Sequence, residues 1–210
     1  MLEKLGISVA RRARRAPLWT NVYGAGRSAL AIATASTLIC NAPSTLFRPA
    51  AGIDQVPVCK GLGTVSLFCL ATNRHLEIAR WTTVLILAIV ASGYRPRVTG
   101  IFHWWAAFSL QASAVVLDGG DQIAAILTLL LIPVTLTDDR RWHWRAPPAS
   151  TGSTLESVRF VIATSAWYVI RLQIAGIYFD SAVAKLAVPE WRDGTALYYW
   201  LTDPVFGAPP

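Results

Sequence analysis

Five stretches of the chain are apolar over a length that crosses or nearly crosses a bilayer, and polar segments separate them. They cover about residues 27–47, 76–94, 100–117, 122–137 and 158–188. A spanning helix needs about 20 predominantly apolar residues. The pattern therefore predicts an all-α fold: a polytopic transmembrane helical bundle with about five spanning helices. The first run is broken late by Pro43, and the fourth is short enough to need residues from a neighbouring loop. Only residues 118–121, Asp-Gly-Gly-Asp, join the third run to the fourth. Two glycines there predict a tight turn and an antiparallel helical hairpin. Residues 64–70 are apolar but too short to span, so they read as a re-entrant or interfacial piece.

Composition agrees with this reading. Of 210 residues, 54% are hydrophobic and 15% charged, against about 25% charged in soluble domains. The mean hydropathy is +0.44. The net charge of +7 sits between the apolar runs, where it acts as a topology signal rather than a nucleic-acid footprint. With the N-terminus in the cytoplasm, the inner segments carry Lys4, Arg11, Arg12, Arg14, Arg15, Arg95, Arg97, Arg140, Arg141, Arg145 and Arg159. The outer segments carry only Arg48, Lys60, Arg74 and Arg192. The expected location is thus the cell membrane, multi-pass, with a cytoplasmic N-terminus and membrane lipids as neighbours. Residues 1–26 read as a basic cytoplasmic segment and 27–210 as one transmembrane domain. Residues 40–43 make a poor signal-peptide cleavage site, so an uncleaved first helix is expected. The Pro/Ser/Thr/Gly-rich part of 138–159 reads as a flexible linker.

Candidate chemistry concentrates in the fifth run. Residues 171–186 are apolar enough for a membrane, yet hold Arg171, Gln173, Asp180 and Lys185. Ionisable groups inside a membrane are costly and mark functional sites by default. At about 100° per residue, Arg171, Tyr178 and Lys185 share one stripe and Gln173 and Asp180 the opposite one. Neither stripe suits lipid, so this helix is expected to be surrounded by protein. Lys185 reads either as a base whose amine is tuned by apolar surroundings or as a snorkelling or paired lysine. Asp118 and Asp121 read either as partners of that amine or as turn residues, with Gln122 beside them. On the topology above, all of these lie towards the outer face. Arg171 needs an anionic or carbonyl partner, and Trp191 reads as an interfacial anchor that covers Lys185.

The remaining polar features carry less. His103 with Trp104 and Trp105, and Trp142-His143-Trp144, read as interfacial aromatic belts. No metal site is expected, because zinc needs more ligands than these histidines supply. Cys59 and Cys69 share the outer loop, where they either pair or remain free thiols.

The run Arg171-x-Gln173-Ile-x-x-x-Tyr178-Phe with Lys185-Leu and Trp191-x-x-Gly194 resembles the signature of the HTTM domain, the membrane part of vitamin K-dependent gamma-carboxylase. Residues 118–122, Asp-Gly-Gly-Asp-Gln, the outer segment 66–70 and Asp138-Asp-Arg-Arg-Trp142 extend the likeness. They are most similar to the bacterial sporulation-delaying protein B group. The resemblance implies that Lys185 is a catalytic base, with Asp121 and Asp118 as catalytic partners. Gln122, Arg171, Gln173, Tyr178, Asp180 and Trp191 are then substrate-binding residues. A histidine of the carboxylase falls near Asp121, and an asparagine beside it is replaced here by glycine.

Three functions follow from the resemblance. The first is an integral membrane maturation factor for a secreted antimicrobial peptide, either enzymatic or not, working on a peptide precursor with a small partner protein. The second is a non-enzymatic scaffold, immunity or lipid-binding protein. The third is a carboxylase-like enzyme that uses a quinone cofactor. The resemblance also implies further helices beyond residue 210, making this chain part of a larger bundle.

Overall fold

The computed structural model describes residues 18–49, 55–71, 75–115, 119–147 and 153–203. Its elements are α1 (Asn21–Cys40), α2 (Pro43–Leu46), a 3₁₀ turn (Gly61–Val65), α3 (Leu67–Leu70), α4 (Leu76–Ser92), α5 (Pro96–Ser113), α6 (Gly119–Leu136), α7 (Thr154–Leu186), α8 (Pro189–Arg192) and α9 (Ala196–Thr202). The described residues are all-α. One isolated bridge pairs Tyr94 with Trp142. The chain divides into two compact units, Met1–Trp167 and Tyr168–Pro210.

All five apolar runs become helices, with shifted ends. Thr20 caps α1 by accepting from the Tyr23 N–H, so α1 begins well before Arg27 and takes that arginine into its body. The late break lies at Asn41, and Pro43 opens the short α2. Pro96 opens α5, where a missing N–H and a fixed φ cost nothing. Gly119 and Gly120 belong to the first turn of α6 rather than to a connecting turn. Among the described residues, only α6 and α7 are long and apolar enough to cross a membrane by length and composition. The 17 residues of α4 span about 26 Å at 1.5 Å per residue, slightly less than a hydrocarbon core.

In the first unit, α1 packs on α4, α4 on α5, and α5 on α6, with α6 returning to α1. Its interior is unusually polar. Arg27, Ser28, Thr34, Thr83, Thr99, His103, Ser109, Ser113, Thr128 and Thr135 are buried, whereas Ile32, Ile78, Leu85, Ile101, Ile126 and Leu129 face outward. Soluble domains do the reverse. In lipid, helices associate through small and hydroxylated residues because burying apolar groups brings no gain. This distribution, with the two apolar helices, fits membrane association.

One end of the unit is closed by the segment between α2 and α4. Ser66 bonds Ser113, Ser109 Oγ accepts from the Leu67 N–H at 2.9 Å, and Trp105 Nε1 donates to the Val65 carbonyl at 2.9 Å. Phe68 is thereby fully buried against Phe47. Cys59 and Cys69 form a disulfide with Cα atoms 5.6 Å apart. At the same end, Arg80 reaches the last carbonyls of α1, donating to Leu38 at 2.8 Å and Asn41 at 3.3 Å, and pairs with Glu77 at 2.8 Å. A guanidinium there offsets both unsatisfied carbonyls and the negative end of the helix dipole.

Candidate functional site

Two polar constellations stand out, one in each unit. The first centres on Arg27, which is 1% exposed. Its Nη2 donates to Thr99 Oγ1 at 2.6 Å and its Nη1 lies 3.5 Å from His143 Nδ1. Ser28 Oγ lies 3.4 Å from His143 Nε2 and donates to the Ala91 carbonyl at 2.7 Å. These partners assign the tautomer: Nδ1 accepts from arginine, so a neutral ring carries its proton on Nε2. Burial first, then the positive charges of Arg27 and Arg140, pushes the His143 pKa down to about 4, against a smaller opposing effect of Asp138.

The sequence builds this knot by close approach. His143 lies where Gly24 and Gly93 leave room: a Cβ on Gly93 would meet its ring at 2.5 Å, and one on Gly24 at 2.9 Å. Gly93 also has φ +86, a left-handed conformation that glycine adopts without cost. The His143 N–H donates to the Gly93 carbonyl at 3.0 Å. Beside it, Arg140 Nε and Nη2 donate to the two Asp138 oxygens at 2.9 Å each, both side chains being buried. Asp139 pairs with Arg97 and Arg159.

This overturns the aromatic-belt expectation for the two histidines. His103 and His143 are buried core residues, not members of an interfacial belt; Trp144, by contrast, is well exposed. Residues 138–145, which precede the Pro/Ser/Thr/Gly-rich run, are built into the bundle. Residues 148–152, most of the run that reads as linker, lie outside the described residues. The sequence reading also missed Arg27, taken only as the edge of an apolar run. Its spacing of four from Tyr23 was the available signal, since both then share a helix face. The partners from other helices left no local trace.

The second constellation lies along residues 168–203. Arg171, Tyr178, Asp180 and Lys185 are exposed, and Gln173 is partly exposed. The stripes fall as their spacing predicted, but nothing within residues 168–203 encloses them: this unit does not itself supply the protein surroundings expected for the helix. An open groove of about 410 Å³ is lined by Val169, Leu172, Gln173, Gly176, Ile177 and Asp180, which brings Gln173 and Asp180 to one surface. Lys185 Nζ lies 4.5 Å from the centre of the Trp191 ring, a cation–π geometry. Trp191 is held by α8, after which Asp193 Oδ1 accepts from the Thr195 N–H at 3.0 Å and hydroxyl at 2.6 Å. Those bonds hold the Asp193 carboxyl below its usual range. Gly194, at φ +84, completes the turn, so the Trp-x-x-Gly spacing has a conformational reason.

Of the other candidates, Asp121 lies in the first turn of α6, partly buried and with an interaction of its own, and Gln122 is exposed beside it. Asp118 lies outside the described residues. Among the described residues, no group of three or more His, Cys, Asp or Glu side chains could hold a metal ion.

The chain is 46% identical to the Bacillus subtilis (strain 168) protein YitO over 209 residues, 99% of this chain and 66% of that protein. It is 40% identical to the sporulation-delaying protein SdpB of the same organism over 194 residues, 91% of this chain and 58% of SdpB. The chain is a relative of SdpB. Both constellations lie within a chain matched almost end to end by these proteins, although it spans only about two thirds or less of their length. No protein-family model matches it, and no solved structure does.

Proposed function

We propose that this SdpB relative is an integral membrane maturation factor for a secreted, toxin-like peptide, with its working site in residues 168–203. The observation that carries the reading is the 40% identity to SdpB along 91% of the chain. In this reading the chain is multi-pass with its N-terminus inside, following the arginine distribution, and its bundle is HTTM-like. Lys185 is the working amine, held in place by Trp191. Asp121 and Asp118 are its acidic counterparts, and Gln122, Arg171, Gln173, Tyr178 and Asp180 bind the substrate. The Gln173–Asp180 groove offers hydrogen-bond acceptors and an apolar floor, which suit an extended peptide backbone with apolar side chains.

The test is coexpression of the whole protein with its peptide precursor and small partner. Lys185→Ala and Asp121→Ala, inserted at normal levels, are expected to abolish mature peptide. Unchanged mature peptide from both variants refutes a catalytic site.

A non-enzymatic scaffold is the second reading, favoured by one observation: Lys185 is exposed and seated on an indole face, as an anchor at a helix end would be. Lys185→Arg then keeps full function, because an arginine keeps the cation–π contact but cannot serve as a base at neutral pH. A carboxylase-like enzyme is the third reading. It requires a reduced quinone, so maturation that persists in quinone-deficient membranes excludes it.

A further inference from the structure

The turn between α4 and α5 and the segment after α6 meet in a short, fixed edge. Tyr94 and Trp142 form the antiparallel bridge, and the Arg95 N–H donates to the Arg141 carbonyl at 2.8 Å. Arg140 Nη1 holds the Arg145 carbonyl at 2.7 Å. Arg95, Arg141 and Arg145 consequently project from a rigid backbone, and all three are exposed.

The local acids are already engaged. Asp138 is taken by Arg140, and Asp139 by Arg97 and Arg159. Among the described residues, Arg95, Arg141 and Arg145 have no carboxylate within 4.0 Å. Counting the described residues alone, the edge therefore carries uncompensated positive charge.

Aromatic groups line it. The Tyr94 and Trp142 rings lie 5.1 Å apart, the Arg95 guanidinium sits 5.6 Å from the Tyr94 centroid, and Trp144 Nε1 donates to the Ser92 carbonyl at 2.9 Å. Within one helical turn, exposed Ile89, Val98 and Leu136 begin the apolar surface of α4, α5 and α6. Cations, amphipathic rings and then aliphatic side chains is the order met when passing from headgroups into a bilayer.

Arg95 adds a second kind of observation. Its φ is +36, the one positive value at a non-glycine residue among those described. A side chain in the left-handed region costs about 1–2 kcal/mol, and glycine would avoid that cost. An arginine kept there points to a use for its guanidinium, since strain of this kind collects at binding sites.

We propose that this edge, made by residues 92–96 and 138–145, binds the phosphate of an anionic phospholipid headgroup, with Arg95, Arg141 and Arg145 as its ligands and Trp144 at the level of the glycerol. Arginine suits the role because its fork of N–H donors matches two phosphate oxygens at once. The inference rests on the membrane reading above, but not on the peptide-maturation reading.

The experiment uses the full chain in nanodiscs of phosphatidylglycerol and phosphatidylcholine, with bound lipid read by native mass spectrometry. Phosphatidylglycerol is expected to be retained preferentially, and its affinity to fall about fivefold for each of Arg95→Gln, Arg141→Gln and Arg145→Gln. Arg192→Gln, which removes an exposed charge elsewhere, should leave it unchanged. Arg95→Gly is the variant that protects against misfolding, because it relieves the positive φ while removing the charge: it should melt no lower than the parent and still lose the lipid.

Inorganic phosphate at millimolar concentration should not displace phosphatidylglycerol; displacement would make this a general phosphate site and overturn the lipid assignment. Equal retention of both lipids by a chain that enters the discs overturns the inference alone. A chain that stays soluble without detergent and never enters the discs overturns the membrane reading with it.

Discussion

The first unit and residues 168–203 are built from similar material and use it in opposite ways. In the first, Arg27, Arg80 and Arg140 are buried, and each guanidinium meets hydroxyls, carbonyls or a carboxylate from the surrounding chain. In the second, Arg171, Asp180 and Lys185 lie on an exposed helix with Tyr178 and Phe179 beside them, each of these aromatics more than 70% exposed. The difference teaches what an ionisable residue in an apolar sequence signifies. Where the fold supplies it with partners, it is a fastener. Where the fold leaves it open, it remains available to a substrate, a partner or further polypeptide.

The largest effect should come from breaking a fastener. Asp138→Ala strands Arg140 without its carboxylate in a buried site, which costs about 3–5 kcal/mol. It should sharply lower the thermal midpoint in detergent, or the yield of inserted protein. A midpoint shift as small as that of a surface substitution would show that the Asp138–Arg140 pair does not hold this end of the bundle.

Acidification should act next, through His143. Its pKa in the folded protein is about 4, below the ordinary 6.5. Between those values the unfolded chain binds the extra proton and the folded one does not, so stability rises with pH. The contribution is fully present above pH 6.5, falls as pH drops towards 4, and levels off below. The swing is on the order of 3 kcal/mol, measurable as a pH-dependent midpoint that His143→Gln flattens.

The smallest effect belongs to the open unit. Arg171→Gln and Asp180→Asn should each change stability by no more than about 0.5 kcal/mol, as surface substitutions do, while, under the proposed function, lowering the yield of mature peptide. A loss of stability comparable to that of Asp138→Ala would erase the contrast, by showing that these charges are fasteners too.

The sequence made some of this legible and not the rest, for physical reasons. Helix existence followed from apolar length, which is why all five runs are helical. The two stripes of residues 171–185 followed from the helical period. Helix starts were harder, because Thr20, Pro96 and Gly119 act through local backbone geometry that an apolar count ignores. The Arg27–His143–Ser28 knot was invisible, since its members lie up to 116 residues apart and meet only because Gly24 and Gly93 admit an imidazole. Asp138 to Arg145 read only as a charged loop with an aromatic belt, yet a bidentate ion pair and one bridge to Tyr94 fix it. Local pattern reports which residues form a helix; it does not report which polar groups will find one another across helices.

The Cys59–Cys69 bond fastens the segment that closes one end of the bundle. Disulfides persist in oxidising compartments and not in the reducing cytosol. The cross-link thus ties structure to redox compartment: this end of the bundle is sealed covalently only where its cysteines meet an oxidising environment, and a reductant unseals it.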